Sequence, residues 1–193
     1  MTPQRVPYFT HEEFLDREQE SRFRHEFHNG RIEMMAGGSH AHSIIGTNCS
    51  GELRNALQGR DCEVHGEALM IRIAAADKST YPDAMVICGE PVFTDNRKLV
   101  VTNPLVIVEV LSPATEAYDR GEKFAAYQLL PSLQEYVLVS QETPLVEVYR
   151  RTVSGWTKFE FPGLEATITL QSLGVTLPAS AIYSRVQWTE AGL

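Results

Sequence analysis

No stretch of this sequence approaches the roughly 18 consecutive apolar residues that a membrane span requires, so no membrane partner is expected. Cysteine is scarce. Cys49, Cys62 and Cys88 are odd in number, and their spacing matches no structural zinc site. The simple reading is three free thiols in a reducing cytoplasm. The opening residues, Met1-Thr2-Pro3-Gln4-Arg5, lead into polar sequence without the apolar stretch of a secretory signal. Positive charge is also short: 17 Lys and Arg face 25 Asp and Glu, for a formal net charge of −8. Phosphate contacts need cations, so this balance disfavours broad nonspecific nucleic-acid binding. It leaves room for a local basic groove, or for an acidic metal site that recruits phosphate through bound Mg²⁺. Gly-x-Ser-x-Gly, the phosphate-binding Gly-x-x-x-x-Gly-Lys-Ser/Thr loop and the dinucleotide fingerprint are all missing.

What is present reads as one α/β domain, without repeats, low-complexity tracts or a linker. Its 193 residues are enough for a sizeable core, and 43% apolar with 22% charged residues is ordinary globular composition. Thr10 caps a helix, with Glu13 completing a capping box, and Arg17 to Arg24 reads as its solvated continuation. His25 to Met35 is a hairpin around Asn29-Gly30. Helical spacing runs from about His40 to Leu57, where Gly46 and Gly51 suggest close packing against another element. Residues 62–65, 68–73 and 83–88 read as strands, and 74–80 as a loop. A longer connection spans 92–103. The segment 105–111 is a strand, Thr115 caps a helix that Pro131 ends, and 135–140 is a second strand. The two strands form a βαβ unit and should be parallel. Residues 145–151 and 156–161 make a hairpin, 166–170 a short strand, and 178–185 a terminal helix.

Chemistry concentrates on the central segment, Pro104-Leu105-Val106-Ile107-Val108-Glu109-Val110-Leu111. Its Val and Ile content is that of a strand buried on both faces. Leu105, Ile107, Glu109 and Leu111 share one face, and Val106, Val108 and Val110 the other. Glu109 thus interrupts an apolar face, and a buried carboxylate is protonated, paired or bound to a metal. Pairing with an arginine or capping a helix would explain it as well as a site would. Asp83 opens another apolar run after Tyr81-Pro82, and a strand start is a common place for a polar residue. Together, two carboxylates on two core-type strands suggest a site for a hard cation. Lys123 shares a helix face with Asp119 and Tyr127. It is either half of a solvated ion pair with Asp119 or an ammonium returned toward the end of the Glu109 strand. Glu26 lies among Arg22, Arg24, His25, His28 and Arg31, a cluster suited to surface salt bridges or to phosphate contacts. His40 and His42 open the second helix without further zinc ligands, and His42 is the one chosen to reach a neighbouring site.

Several pieces, in order, carry a resemblance. They are Phe9-Thr10-His11-Glu12-Glu13-Phe14-Leu15, His25-Glu26-Phe27-His28-Asn29-Gly30-Arg31-Ile32, Met35 to His42 and Tyr81-Pro82-Asp83-Ala84-Met85-Val86. Val108-Glu109-Val110-Leu111-Ser112-Pro113, Glu122 to Tyr127 and Pro131 to Val139 follow. Together they resemble the Uma-type family of restriction-endonuclease-like proteins, within the PD-(D/E)XK phosphodiesterase superfamily, over nearly the whole chain. The resemblance implies a mixed β-sheet core flanked by helices, with an N-terminal hairpin and a C-terminal β-hairpin added. It implies that Asp83 and Glu109 bind Mg²⁺ or Mn²⁺, with a backbone carbonyl such as that of Val110, and that Glu26 is an additional acidic residue from an early element. The lysine of the superfamily motif should fall at position 111, which is Leu111, and Lys123 is the natural substitute. His42, Arg24 and Arg31 become candidate substrate contacts.

The leading expectation is a metal-dependent DNA phosphodiesterase. A catalytically inactive nuclease-fold protein that binds nucleic acid or serves as an interaction module is the alternative, and hydrolysis of a smaller phosphodiester is a third. Oligomeric state is left open, a homodimer being one option.

Overall fold

In the computed structural model, which describes residues 8–35, 37–94 and 96–188, the Val- and Ile-rich segment lies inside a six-stranded sheet. The chain enters through helix α1 (His11–Glu20), where Thr10 and Glu13 form the reciprocal capping box. Strands β1 (His25–His28) and β2 (Arg31–Met34) follow, joined at Asn29 and Gly30, both at positive φ as a two-residue hairpin turn demands. Helix α2 (His40–Ala56) starts at Ser39, whose hydroxyl accepts the His42 N–H. Next come β3 (Cys62–Gly66), β4 (Met70–Ile73), a 3₁₀ turn at Ala74–Ala76, β5 (Lys78–Thr80), β6 (Ala84–Cys88), β7 (Val100–Val101) and β8 (Val106–Leu111). One helical stretch then runs through α3 (Glu116–Tyr118), a π turn at Asp119–Lys123 and α4 (Phe124–Tyr127). The remainder is β9 (Glu135–Ser140), β10 (Leu145–Thr152), β11 (Gly155–Pro162), β12 (Thr167–Leu170), β13 (Val175–Pro178) and α5 (Ala179–Ile182).

The larger sheet has the order β11-β10-β9-β8-β6-β3, the smaller β2-β1-β5-β4-β7, and β12 pairs with β13. Strands β8 and β9 are parallel, as a crossover through a helix requires, whereas β6 runs antiparallel to β8. The alternation read from the sequence sets the two faces of β8. Val106, Val108 and Val110 pack with Ile45 and Leu53 of α2 and with Ile168 and Leu177. Ile107 and Leu111 pack with Phe124, Tyr127 and Tyr136. Each such side chain contributes about 1.5–3 kcal/mol when fully buried. The smaller sheet closes over Phe14, Phe27, Met70, Tyr81 and Val100. Among the described residues, no helix is long and apolar enough to cross a membrane.

The structure departs from the sequence reading in several places. Residues 78–80 are a strand within the smaller sheet, not part of a loop; a run of Lys, Ser and Thr hides this because its polar groups are buried against partners. Strand β13 (Val175–Pro178) occupies residues 175–177, assigned to no element, and Pro178, read as the start of the terminal helix, and α1 ends at Glu20, before the charged stretch does. Thr115 makes no side-chain cap; Ser112 Oγ instead accepts the Thr115 N–H. A Cβ at Gly46 or Gly51 would meet no neighbour, so neither marks a close approach. Cys62 and Cys88 are not free thiols. Cross-strand register sets them opposite each other with Cα atoms 4.0 Å apart, and they form a disulfide; Cys49 alone is free, and buried. With Cys62 and Cys88 bonded, the thiols give no ground for a reducing compartment.

Candidate active site

Backbone register brings the acidic residues together. Ala84 pairs with Val108, so the next step of the ladder sets Asp83 across from Glu109. The Val110 N–H donates to Asp83 Oδ2 at 2.6 Å and fixes Asp83 at the C-terminal end of β8. On the smaller sheet Phe27 pairs with Ser79, which places Glu26 beside Thr80. Thr80 Oγ1 donates to Glu26 Oε1, and the Tyr118 hydroxyl donates to Glu26 Oε2 at 2.7 Å.

The helical stretch supplies the cation. Lys123 is only 4% exposed, and its Nζ lies 2.8 Å from Glu109, 3.6 Å from Asp119 and 3.7 Å from Glu26. A solvated surface pair with Asp119 is thereby excluded. The Tyr127 hydroxyl donates to Glu109 Oε1 at 2.8 Å, so the Asp119–Lys123–Tyr127 face turns inward as a unit. The π turn at Asp119–Lys123 sets the angle at which Asp119 and Lys123 point inward; such turns are frequent at functional sites. Glu109 is 3% exposed and is tied to Lys123 and Tyr127, not to an arginine.

The electrostatics follow from the count of charges. Burial pushes the Glu109 carboxyl up to about 8, and nearby Asp83 and Asp119 reinforce the rise against the pull of Lys123. Burial raises Asp119 as well. Burial opposes the charge on Lys123, but Glu109, Glu26 and Asp119 together outweigh it and hold the proton on the amine. Glu26 is also disfavoured by burial, yet Lys123 and the bonds from Thr80 and Tyr118 keep it below the usual carboxylate range. The cluster thus carries more carboxylates than it has cations, and Glu109 absorbs the excess by keeping a proton near neutrality.

His42 enters from α2, with Nε2 3.3 Å from Asp83 Oδ2, and the hydrogen bond to Asp83 raises its pKa. Arg24 is exposed and pairs with Glu67 at 3.2 Å, and Arg31 is exposed on β2. Neither arginine is among the partners of the buried cluster. Leu111 is buried among Phe124, Tyr127 and Leu138. The sequence reading missed Thr80, Tyr118 and Lys78. Lys78 is 1% exposed and donates to the Tyr118 hydroxyl. No local pattern marks these three, because their partners lie 40 or more positions away in sequence.

The donor set suits Mg²⁺ or Mn²⁺. Among the described residues no three His, Cys, Asp or Glu side chains are arranged to hold a metal ion between them. Mg²⁺ nevertheless binds commonly through one or two carboxylates and completes its shell with water and phosphate oxygens. Asp83 and Glu109, oxygen ligands in a carboxylate-rich setting, fit that requirement.

An α/β fold in which an antiparallel β6–β8 pair presents two carboxylates beside a buried lysine is that of a restriction-endonuclease-like protein. The chain belongs to the Uma2 family, described as "Putative restriction endonuclease", whose model matches residues 11–180. It is 37% identical over 180 residues to the uncharacterized protein slr1290 of Synechocystis sp. (strain ATCC 27184 / PCC 6803 / Kazusa), covering 92% of each chain. It is 38% identical over 157 residues to sll1609 of the same organism, covering 81% of this chain and 89% of that one. The crystal structure of a "putative nuclease belonging to DUF820" from Anabaena variabilis ATCC 29413 shares the fold. Its TM-score is 0.74 at 20% identity, over 91% of this chain and 98% of that one.

Proposed function

We propose that the protein hydrolyses phosphodiester bonds in DNA with the help of Mg²⁺ or Mn²⁺ held by Asp83, Glu109 and the Val110 carbonyl. The observation that carries this reading is the carboxylate excess around Lys123, with Glu109 pushed up to about 8. A bound divalent cation would supply Lewis acidity, making a water more acidic and offsetting charge on the phosphorane. Lys123 keeps its proton and steadies the attacking hydroxide or a phosphate oxygen. It stands in for the lysine that Leu111 replaces. Glu26 offers Lys123 a second acceptor once Glu109 is occupied. His42 orients Asp83, while the exposed Arg24 and Arg31 would contact a phosphate backbone outside the cluster.

A second reading, a nuclease-fold module that binds nucleic acid without cutting it, draws on the buried Leu111. Calorimetric titration with Mg²⁺ and Mn²⁺, followed by cleavage assays on single- and double-stranded DNA, separates the two. The nuclease reading expects metal binding that Asp83→Asn abolishes and cleavage that Glu109→Gln abolishes. DNA binding with no cleavage in either metal would favour the second reading. Cleavage confined to a small phosphodiester substrate would point to a third function.

A further inference from the structure

The cluster contains a second buried cation that the reaction scheme above does not use. Lys78 sits in β5, in the interior of the smaller sheet, at 1% exposure. An ammonium so placed needs partners, and it has few. Its Nζ donates to the Tyr118 hydroxyl, lies 4.5 Å from the centre of that ring and is 3.7 Å from Glu122, an exposed carboxylate that is also held by His28.

A phenol has one proton. With Lys78 donating to its oxygen, Tyr118 must direct that proton elsewhere, and the acceptor is Glu26 Oε2 at 2.7 Å. Tyr118 retains the proton because burial and the adjacent Glu26 raise its pKa. The direction of donation is therefore fixed from Lys78 to Tyr118 to Glu26. Thr80 holds the other oxygen of Glu26, two residues along the same strand as Lys78. Glu26 is thus clamped at both oxygens by groups on β5 and the helical stretch, while Lys123 lies 3.7 Å from Oε1.

We propose that Lys78 is a positioning residue that acts on Glu26 through Tyr118. It keeps Glu26 ionised and oriented to receive the Lys123 ammonium when Glu109 turns to other ligands. The role of Glu26 in hydrolysis rests on the reading under Proposed function, but the Lys78–Tyr118–Glu26 linkage does not.

The test has one arm for each. In protein carrying ¹³C-labelled glutamate, the Glu26 carboxyl is titrated by NMR. The charged and hydrogen-bonding groups facing it are Lys123 and Tyr118 from the helical stretch, and Thr80 and Lys78 from β5. Tyr118→Phe removes only the hydroxyl and should shift the Glu26 titration upward. Lys78→Met should do the same, through the lost bond to Tyr118 and the lost charge that also holds Glu26 down, and the double variant should shift it by less than the two single shifts together. Glu122→Gln removes the other partner of Lys78 and should leave Glu26 in place. An unmoved Glu26 in Tyr118→Phe overturns the proposal, even if Lys78→Met fails to fold. In the cleavage assay both variants should lose about 10–100-fold in kcat, the usual cost of removing an outer positioning partner, with KM nearly unchanged. A change in KM alone would instead make Lys78 a binding residue and overturn the positioning role. A wild-type protein that binds no divalent metal and cuts nothing removes the nuclease reading, and the titration still decides the linkage.

Discussion

Glu109 and Glu135 stand on neighbouring parallel strands, both buried, yet they are handled in opposite ways. Glu135 is fully enclosed. It accepts from Arg150 Nε at 2.9 Å, from the backbone of Gln171 and Ser172 at 3.1 and 3.0 Å, and from the Ser172 hydroxyl at 2.5 Å. One carboxylate meets one guanidinium, and neutral donors take up the rest. The result is a clamp that ties the turn between β12 and β13 to the larger sheet. Glu109 has one ammonium within reach and shares it with Glu26 and Asp119, while Asp83 adds further negative charge. Burial alone therefore does not separate the two glutamates. The local balance of charge does.

Arg150→Met carries the largest expected effect. It strands Glu135 in the core, so urea unfolding should show a loss of about 3–5 kcal/mol. Divalent-metal affinity should be unchanged. A loss below about 1 kcal/mol would erase the distinction between the two glutamates.

Glu109 should show its imbalance through pH. Below about pH 4.5 the folded and unfolded chains both hold this proton; between there and about 8 only the folded chain does. Stability from this group is therefore fully present at acid pH and is lost as pH rises through about 8, on the order of a few kcal/mol in all. His42, also raised, acts in the same direction, whereas lowered Glu26 contributes stability that is lost toward acid. The Tm of metal-free wild type should fall between about pH 5 and 8, at roughly 2–4 °C per kcal/mol. Glu109→Gln should flatten most of that slope. An equal slope in both proteins would show that Glu109 holds no excess proton.

Metal should stabilise the folded protein by linkage, about 2.7 kcal/mol when its concentration is about 100 times Kd. Asp83→Asn should abolish this gain in Tm, and a full gain in that variant would move the site elsewhere. The smallest expected change is at Arg24, an exposed partner of exposed Glu67. Arg24→Ala should leave stability within about 1 kcal/mol. If DNA passes over this surface, the same change should reduce the salt dependence of binding by about one phosphate contact.

The larger sheet was legible because β8 carries its burial in its composition, and because β8, the crossover and β9 follow the chirality and spacing of a βαβ unit. Asp83 and Glu109 were legible as polar residues on apolar strands. Their meeting was not a local property: it depends on the β6–β8 register, which sequence spacing allows without specifying. Lys123 was visible as one face of a helix, but whether that face turns outward or inward depends on how the helix docks against the two sheets. Lys78 and Thr80 were hidden because a short polar strand looks like a loop until its partners are known. The pairing of Cys62 with Cys88 was missed for the same reason, since an odd cysteine count says nothing about which two residues register opposes.

The π turn at Asp119–Lys123 also bears on how this segment tolerates change in length. Successive residues of a helix are rotated by about 100°. Within these five residues the chain accommodates one more position per hydrogen-bonded turn than an α-helix would. Deleting Gly121, exposed and without a side chain, would look harmless by any measure of lost contacts. The shortened segment would close into a regular α-helix. Because a π turn takes up one residue more than an α turn, Phe124 and Tyr127 would keep roughly their direction relative to Asp119, and the change would fall on Lys123, which lies inside the turn and would be re-aimed relative to Glu109. Substitutions on the outer side of this segment should therefore be absorbed easily, while a one-residue deletion between Asp119 and Phe124 should spare the core and be felt at Lys123.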